Sequence, residues 1–315
     1  MVAALLLAAA AARAVVQPPP GPVSPGTAAV DPTHDVDEVQ VIATEPRYVA
    51  PTRRDSIGRI WAPVVINGRG PYRLVLDTGA SHSGVTEEVA SSLGISLEGA
   101  RPVLLRGVTG SMPVPTIHVD TLSVGELEME ATVLPIVTDA LGGAEGVLGS
   151  EGLVDKRIYI DFRHDLIMIS QSRNQRAGFR FFTVPFQFSR GNLLMVRATI
   201  GDIQCHIIID TGAQASIGNR SLRRALSHRI LYGVRAEVQG VTDDIQRGDS
   251  VDIPDIVIGE LRITKAQALF GDMQIFEHWD LMTEPTLLLG MDALGVFDTL
   301  IIDYHRHELQ IRPWR

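Results

Sequence analysis

The chain carries the same passage twice, and that repeat constrains its fold more than any other feature. "LVLDTGASHSGV", starting at residue 74, returns as "IIIDTGAQASIG", starting at residue 207. Asp210, Thr211, Gly212 and Ala213 therefore stand opposite Asp77, Thr78, Gly79 and Ala80. A given tetrapeptide arises by chance on the order of once in 10^5 positions at ordinary residue usage, so two copies, each after an apolar triplet, mark an internal duplication. Other landmarks keep step. Gly107-Val108-Thr109 begins thirty residues past Asp77, and Gly240-Val241-Thr242 begins thirty past Asp210. "GVLGSEGL" around Gly149 answers "LLLGMDAL" around Gly290, and the strand-like runs "IYIDFRHDLIMIS" and "LIIDYHRHELQI" close the two copies.

Short β-type runs with glycine punctuation dominate from about residue 56, which predicts an all-β protein. Each repeated passage is followed by a short helix signal. In the first copy Thr86 can cap, Val85, Val89 and Leu93 share a face, and Gly94 can terminate. "NRSLRRALSH" holds the same place in the second. The expected organisation is two β lobes, 56–178 and 179–315, related by a pseudo-twofold axis, with a site between them. Upstream, the apolar run from Val2 to Ala12 has the length of a signal-peptide core rather than a membrane span, and Ala12-Arg13-Ala14 supplies a cleavage site. Residues 1–14 are thus expected to be a signal peptide that directs export to the periplasm or beyond, or a membrane tether if uncleaved. The proline-rich residues 15–55 are expected to be a disordered tether.

A carboxylate at the end of a buried apolar strand is costly unless it is paired or shares its proton. The repeat supplies Asp77 with a partner, Asp210. Two carboxyls held together cannot both ionise and hold one proton between them. Metal and nucleic-acid chemistry find little support. The formal net charge is −9, no block of Lys and Arg occurs, and Cys205 is the only cysteine. On its apolar run Cys205 reads as a small buried hydrophobe. His305 and His307 flank Arg306 at strand spacing and read as a solvated strand face.

An apolar triplet, then Asp-Thr-Gly-Ala, and later apolar-apolar-Gly resembles the aspartic proteases, in particular the retropepsin branch, through the alanine after the glycine in both copies. The chain is similar to bacterial, exported relatives that carry both halves in one polypeptide, and the resemblance covers everything after the tether. It implies the acid-protease fold and an endopeptidase for extended polypeptides, with Asp77 and Asp210 catalytic and no cofactor or metal. It implies that Thr78 and Thr211 hydrogen-bond across the pseudo-twofold axis, that Gly79 and Gly212 bring backbone close to the carboxylates, and that Ala80 and Ala213 complete the loops. Val147-Leu148-Gly149 and Leu288-Leu289-Gly290 would lie beneath them. Gly107, Val108, Thr109 and Gly110, with Gly240, Val241, Thr242 and Asp243, fall where the family places mobile flap tips. Neither tip has the tyrosine of the pepsin flap, and the second also reads as an ordinary polar turn. His82 and His118 read as surface or satisfied histidines. Arg47, Arg53 and Arg54 stand where an inhibitory prosegment could reach back to the dyad, or in a solvated linker. Two other readings stay open: a peptide-binding module that kept the fold without turnover, and lobes that pair with those of another chain. The short connection between Ser170 and Gly191 favours pairing within one chain, hence a monomer.

Overall fold

The computed structural model describes residues 59–138, 141–173, 175–230, 233–242 and 245–314, with the backbone of Ala4–Leu5 and Ala50–Pro51. The expected signal peptide and tether, with Arg47, Arg53, Arg54 and Asp243, otherwise lie outside the described residues.

Among the described residues there are three sheets: an eight-stranded sheet in the first lobe, a ten-stranded sheet in the second, and a six-stranded sheet that both lobes share. In the first lobe, strands Trp61–Ile66 and Arg69–Leu76 form a hairpin across Asn67-Gly68, where both residues have positive φ (49° and 70°). Asn-Gly adopts that left-handed pair at low steric cost, and the resulting turn matches the strand twist. The second strand starts exposed and ends in three fully buried residues, Leu74, Val75 and Leu76. A parallel neighbour, Gly146–Leu148, lies beside it with Leu76 opposite Leu148, and the apolar run fits a parallel strand covered on both faces. The second lobe repeats the arrangement: Ile203–Ile209 runs parallel to Thr286–Leu289, with Ile209 opposite Leu289. The strand that will present each aspartate is thus fixed from both sides at its last residue.

Helix Glu87–Leu93 follows the first loop, with Thr86 in the extended N-cap position and Gly94 closing it at φ 76°. Val85, expected on that helix, belongs instead to strand Gly84–Val85, which pairs with Gly146–Leu148. Helix Arg220–Ala225 takes the matching place, capped by the Asn219 side chain, which accepts from Leu222 N–H at 2.8 Å.

The runs that close the two copies build the shared sheet. Lys156–Asp161 pairs antiparallel with Phe297–Asp303, so Tyr159 of one lobe lies opposite Ile301 of the other. Leu166–Gln171 and Glu308–Pro313 flank them, and Phe182–Pro185 adds to the second flank. The connecting stretch is fastened to this floor: Ser172 Oγ donates to Asp303 at 2.7 Å, and Ala177 N–H donates to the Gln310 side chain at 2.8 Å. His305 and His307 lie in the turn between the last two strands rather than on a strand face. The turn forms because His307 takes φ 54° and its ring stacks on Phe186. Cys205 is buried, and burial pushes its thiol up to about 12.

Candidate active site

Each apolar strand stops at an aspartate because the chain must turn there. Asp77 N–H donates to Leu148 O at 2.9 Å and Asp210 N–H to Leu289 O at 3.1 Å, the last bonds of the two parallel ladders. The loops then fold back on their own carboxylates. Asp77 Oδ1 accepts from the N–H groups of Gly79 (2.8 Å) and Ala80 (2.9 Å). Asp210 Oδ1 accepts from Gly212 (2.8 Å) and Ala213 (3.1 Å). One oxygen of each carboxyl is thereby fixed, and both residues are almost wholly buried. Apart from each other, the outer oxygens, Oδ2 of both, have no partner among the described residues.

The two loops meet across the seam. A methyl group at Gly79 would stand 2.6 Å from Oδ2 of Asp210, and one at Gly212 would stand 2.3 Å from Oδ2 of Asp77. Glycine is required at both places, since any larger residue overlaps the opposite lobe's carboxyl. Beside them, Thr78 and Thr211 make four reciprocal bonds. Thr78 Oγ1 donates to Ile209 O (2.7 Å) and accepts from Thr211 N–H (3.1 Å). Thr211 Oγ1 donates to Leu76 O (2.7 Å) and accepts from Thr78 N–H (3.2 Å). Each hydroxyl both donates and accepts across the seam, and the pair ties the two aspartate loops together.

Burial, then the charge of Asp210, holds the Asp77 carboxyl well above its ordinary range. Burial raises Asp210 too, against the backbone donors of Gly212 and Ala213, the hydrogen bond from Asp77 and the positive charge of Arg59. Two carboxyls raised in this way and held together can share one proton between them.

Below the loops lies a layer the sequence reading passes over. Ser83 N–H donates to Glu151, and Ser83 Oγ accepts from Gly149 N–H at 3.0 Å. In the second copy Ser216 N–H and Oγ donate to Asp292 at 2.9 and 2.8 Å, and Ser216 Oγ accepts from Gly290 N–H at 3.2 Å. Burial raises both acids. The signal was present in the repeat, where an acid follows the glycine by two residues in both copies. A side chain at Gly149 would strike the His82 backbone at 2.5 Å, which explains the glycine. His82 Nδ1 bonds Ser81 Oγ at 2.9 Å, and His118 is exposed on its strand.

The two glycine-valine-threonine turns lie together at the hairpin tips. Gly107 N–H donates to Gly110 O at 2.8 Å, closing the first turn. Thr109 Oγ1 and Thr242 Oγ1 stand 2.9 Å apart in a hydrogen bond between lobes. Val108 packs into an apolar cluster otherwise built from the second lobe, including Ile208, Ala213, Phe276 and Leu288. Val241 packs into the corresponding first-lobe cluster with Val75, Ala80, Val137 and Val147. The tips thus exchange sides, and Thr138 Oγ1 holds Val241 O at 3.0 Å.

Among the described residues no group of three or more His, Cys, Asp or Glu side chains could hold a metal ion. A family model described as "Aspartyl protease" matches residues 62–151 and 196–293, and each segment contains one Asp-Thr-Gly-Ala. None of the curated proteins compared with the chain matches it.

Proposed function

The chain belongs to the aspartyl protease family, and from that premise we propose that it is an endopeptidase whose Asp77 and Asp210 activate a water against a peptide bond. The observation that carries the reading is the meeting of two buried carboxyls across the seam, each against the other lobe's glycine. In the one-proton state, the ionised aspartate takes a proton from water as the water oxygen bonds to the peptide carbonyl carbon. The neutral aspartate gives its proton to the carbonyl oxygen, and a tetrahedral diol results. A proton then passes to the amide nitrogen, the C–N bond breaks, and a carboxylic acid and an amine leave. The fixed Oδ1 atoms keep both carboxyls oriented throughout. The shared sheet supports pairing of the lobes within one chain, and the hairpin tips support enclosure of an extended polypeptide.

Asp77→Asn and Asp210→Asn test the reading. Each is expected to lower the cleavage rate on a peptide library by at least about 10^2 while circular dichroism stays that of the parent. Parental activity in both variants overturns it. Absence of cleavage by the parent, with tight capture of a statine-type peptide, assigns the chain to peptide binding instead.

A further inference from the structure

The sequence holds no block of Lys and Arg, yet the fold gathers arginines and aromatic rings at one end of the shared sheet. The strand register fixes which end. Asp161 lies opposite both Leu166 and Thr299, Thr299 lies opposite Arg312, and Ile311 lies opposite Phe182. The turn that carries Arg163, the residues next to Trp314 and the approach to Phe182 therefore stand side by side. Gly178 to Phe181 forms a tight turn on that approach, with Phe181 N–H donating to Gly178 O at 3.1 Å. Its two corners are Phe179 and Arg180. A corner side chain has no sheet beneath it to pack on, and Phe179 is 94 % exposed. Trp314 is half exposed.

Each ring carries a guanidinium. Arg180 lies over Phe179 and Arg163 over Trp314, both 5.7 Å from the ring centre, and Arg312 lies over Phe181 at 5.1 Å. These six side chains line one cavity, where the acids are Glu260 and Asp298. Asp298 is taken by Arg312 at 2.8 Å. Arg163 and Arg180 are exposed and, among the described residues, have no ion pair.

We propose that this end of the shared sheet docks on an anionic lipid surface, with Phe179 and Trp314 entering the headgroup layer and Arg163 and Arg180 meeting its phosphates. The proposal stands apart from the peptidase reading. A ring with a cation on its face suits the border between headgroups and acyl chains, which is apolar on one side and charged on the other. A guanidinium can give a phosphate two parallel hydrogen bonds while its face stays against the ring. Headgroup phosphates lie all along such a layer, so both free arginines find a partner without a shaped socket. The chain as a whole carries −9, so an anionic surface repels most of it and accepts the end with free cations. Docking then has one orientation.

The test is flotation of the full chain with phosphatidylcholine vesicles, with and without phosphatidylglycerol. Binding is expected on the anionic vesicles and is expected to weaken with salt. Arg163→Gln with Arg180→Gln should reduce it about ten-fold or more, and Phe179→Ser with Trp314→Ser should abolish it while circular dichroism stays parental. Tryptophan fluorescence locates the face, because Trp279 is buried and Trp61 half-buried. A blue shift on binding is expected, and Trp314→Phe should lose that shift and still bind. No binding, equal binding to phosphatidylcholine alone, parental binding by either double variant, or a shift that survives in Trp314→Phe overturns the proposal. A concentration-dependent dimer in sedimentation that Phe179→Ser with Trp314→Ser dissolves, without vesicle binding, assigns the patch to a second copy of the chain instead.

Discussion

At the scale of single residues the two alanines after the glycines bear on the proton affinity of the aspartates. Ala80 and Ala213 are buried and give each carboxylate a backbone N–H but no hydroxyl. A hydroxyl there would add a bond to the charged form and lower its proton affinity. Ala80→Ser with Ala213→Ser should therefore move the bell-shaped rate profile to lower pH, by about one unit for a bond worth about 1.4 kcal/mol. A profile that stays in place would mean that other groups set the proton affinity. The aspartates, threonines and glycines were legible in the sequence because duplication turned a short pattern into an improbable one. The burial of Arg59 was not legible, since a lone arginine before a strand carries no pattern. Glu151 and Asp292 were visible as a repeated acid, but spacing alone does not reveal that a serine from another loop reaches each.

At the scale of elements, the strands and the two helices that follow the repeated loops come from alternation, caps and glycine. Their partners do not. "IYIDFRHDLIMIS" reads as strands, but nothing in its alternation says that Tyr159 will lie opposite Ile301 from the other half of the chain. The same holds for the hairpin tips, where Gly-Val-Thr fits any tight turn. That the tips would exchange sides depends on the separation of the lobes, a tertiary quantity. The Thr109–Thr242 bond gives this element a direct test. Thr109→Val with Thr242→Val removes both hydroxyls at nearly constant volume and forfeits about 1 kcal/mol. Amide exchange through residues 105–112 and 238–242 should then speed up about five-fold, because the opening population rises by that factor. Exchange at the parental rate would show that the valines and the Thr138 bond hold the tips without the threonine pair.

At the scale of the whole molecule the buried acids set how stability depends on pH. Burial raises Asp77, Asp210, Glu151 and Asp292 in the fold. An acid whose folded pKa is raised binds more protons folded than unfolded across the window between the two values. Its stabilising contribution is therefore complete below the unfolded value and is lost as pH rises through the folded one. Glu308, lowered chiefly by Arg176, works the other way, with stability lost on acidification. Asp77→Asn isolates the dyad. Its stability relative to the parent should grow from about pH 3 to pH 7 in chemical denaturation, by about 1.4 kcal/mol for each unit by which the parent carboxyl is raised. A difference that does not vary with pH would show that the dyad carries no such strain.

The bond between the tips also bears on timing. On the proposed peptidase reading, a polypeptide that reaches the aspartates past the Thr109–Thr242 contact parts it to enter, and its fragments part it to leave. Where that parting is the slow step, turnover at saturation tracks solvent viscosity and barely notices deuterium, and the chemistry becomes visible only when substrate is scarce.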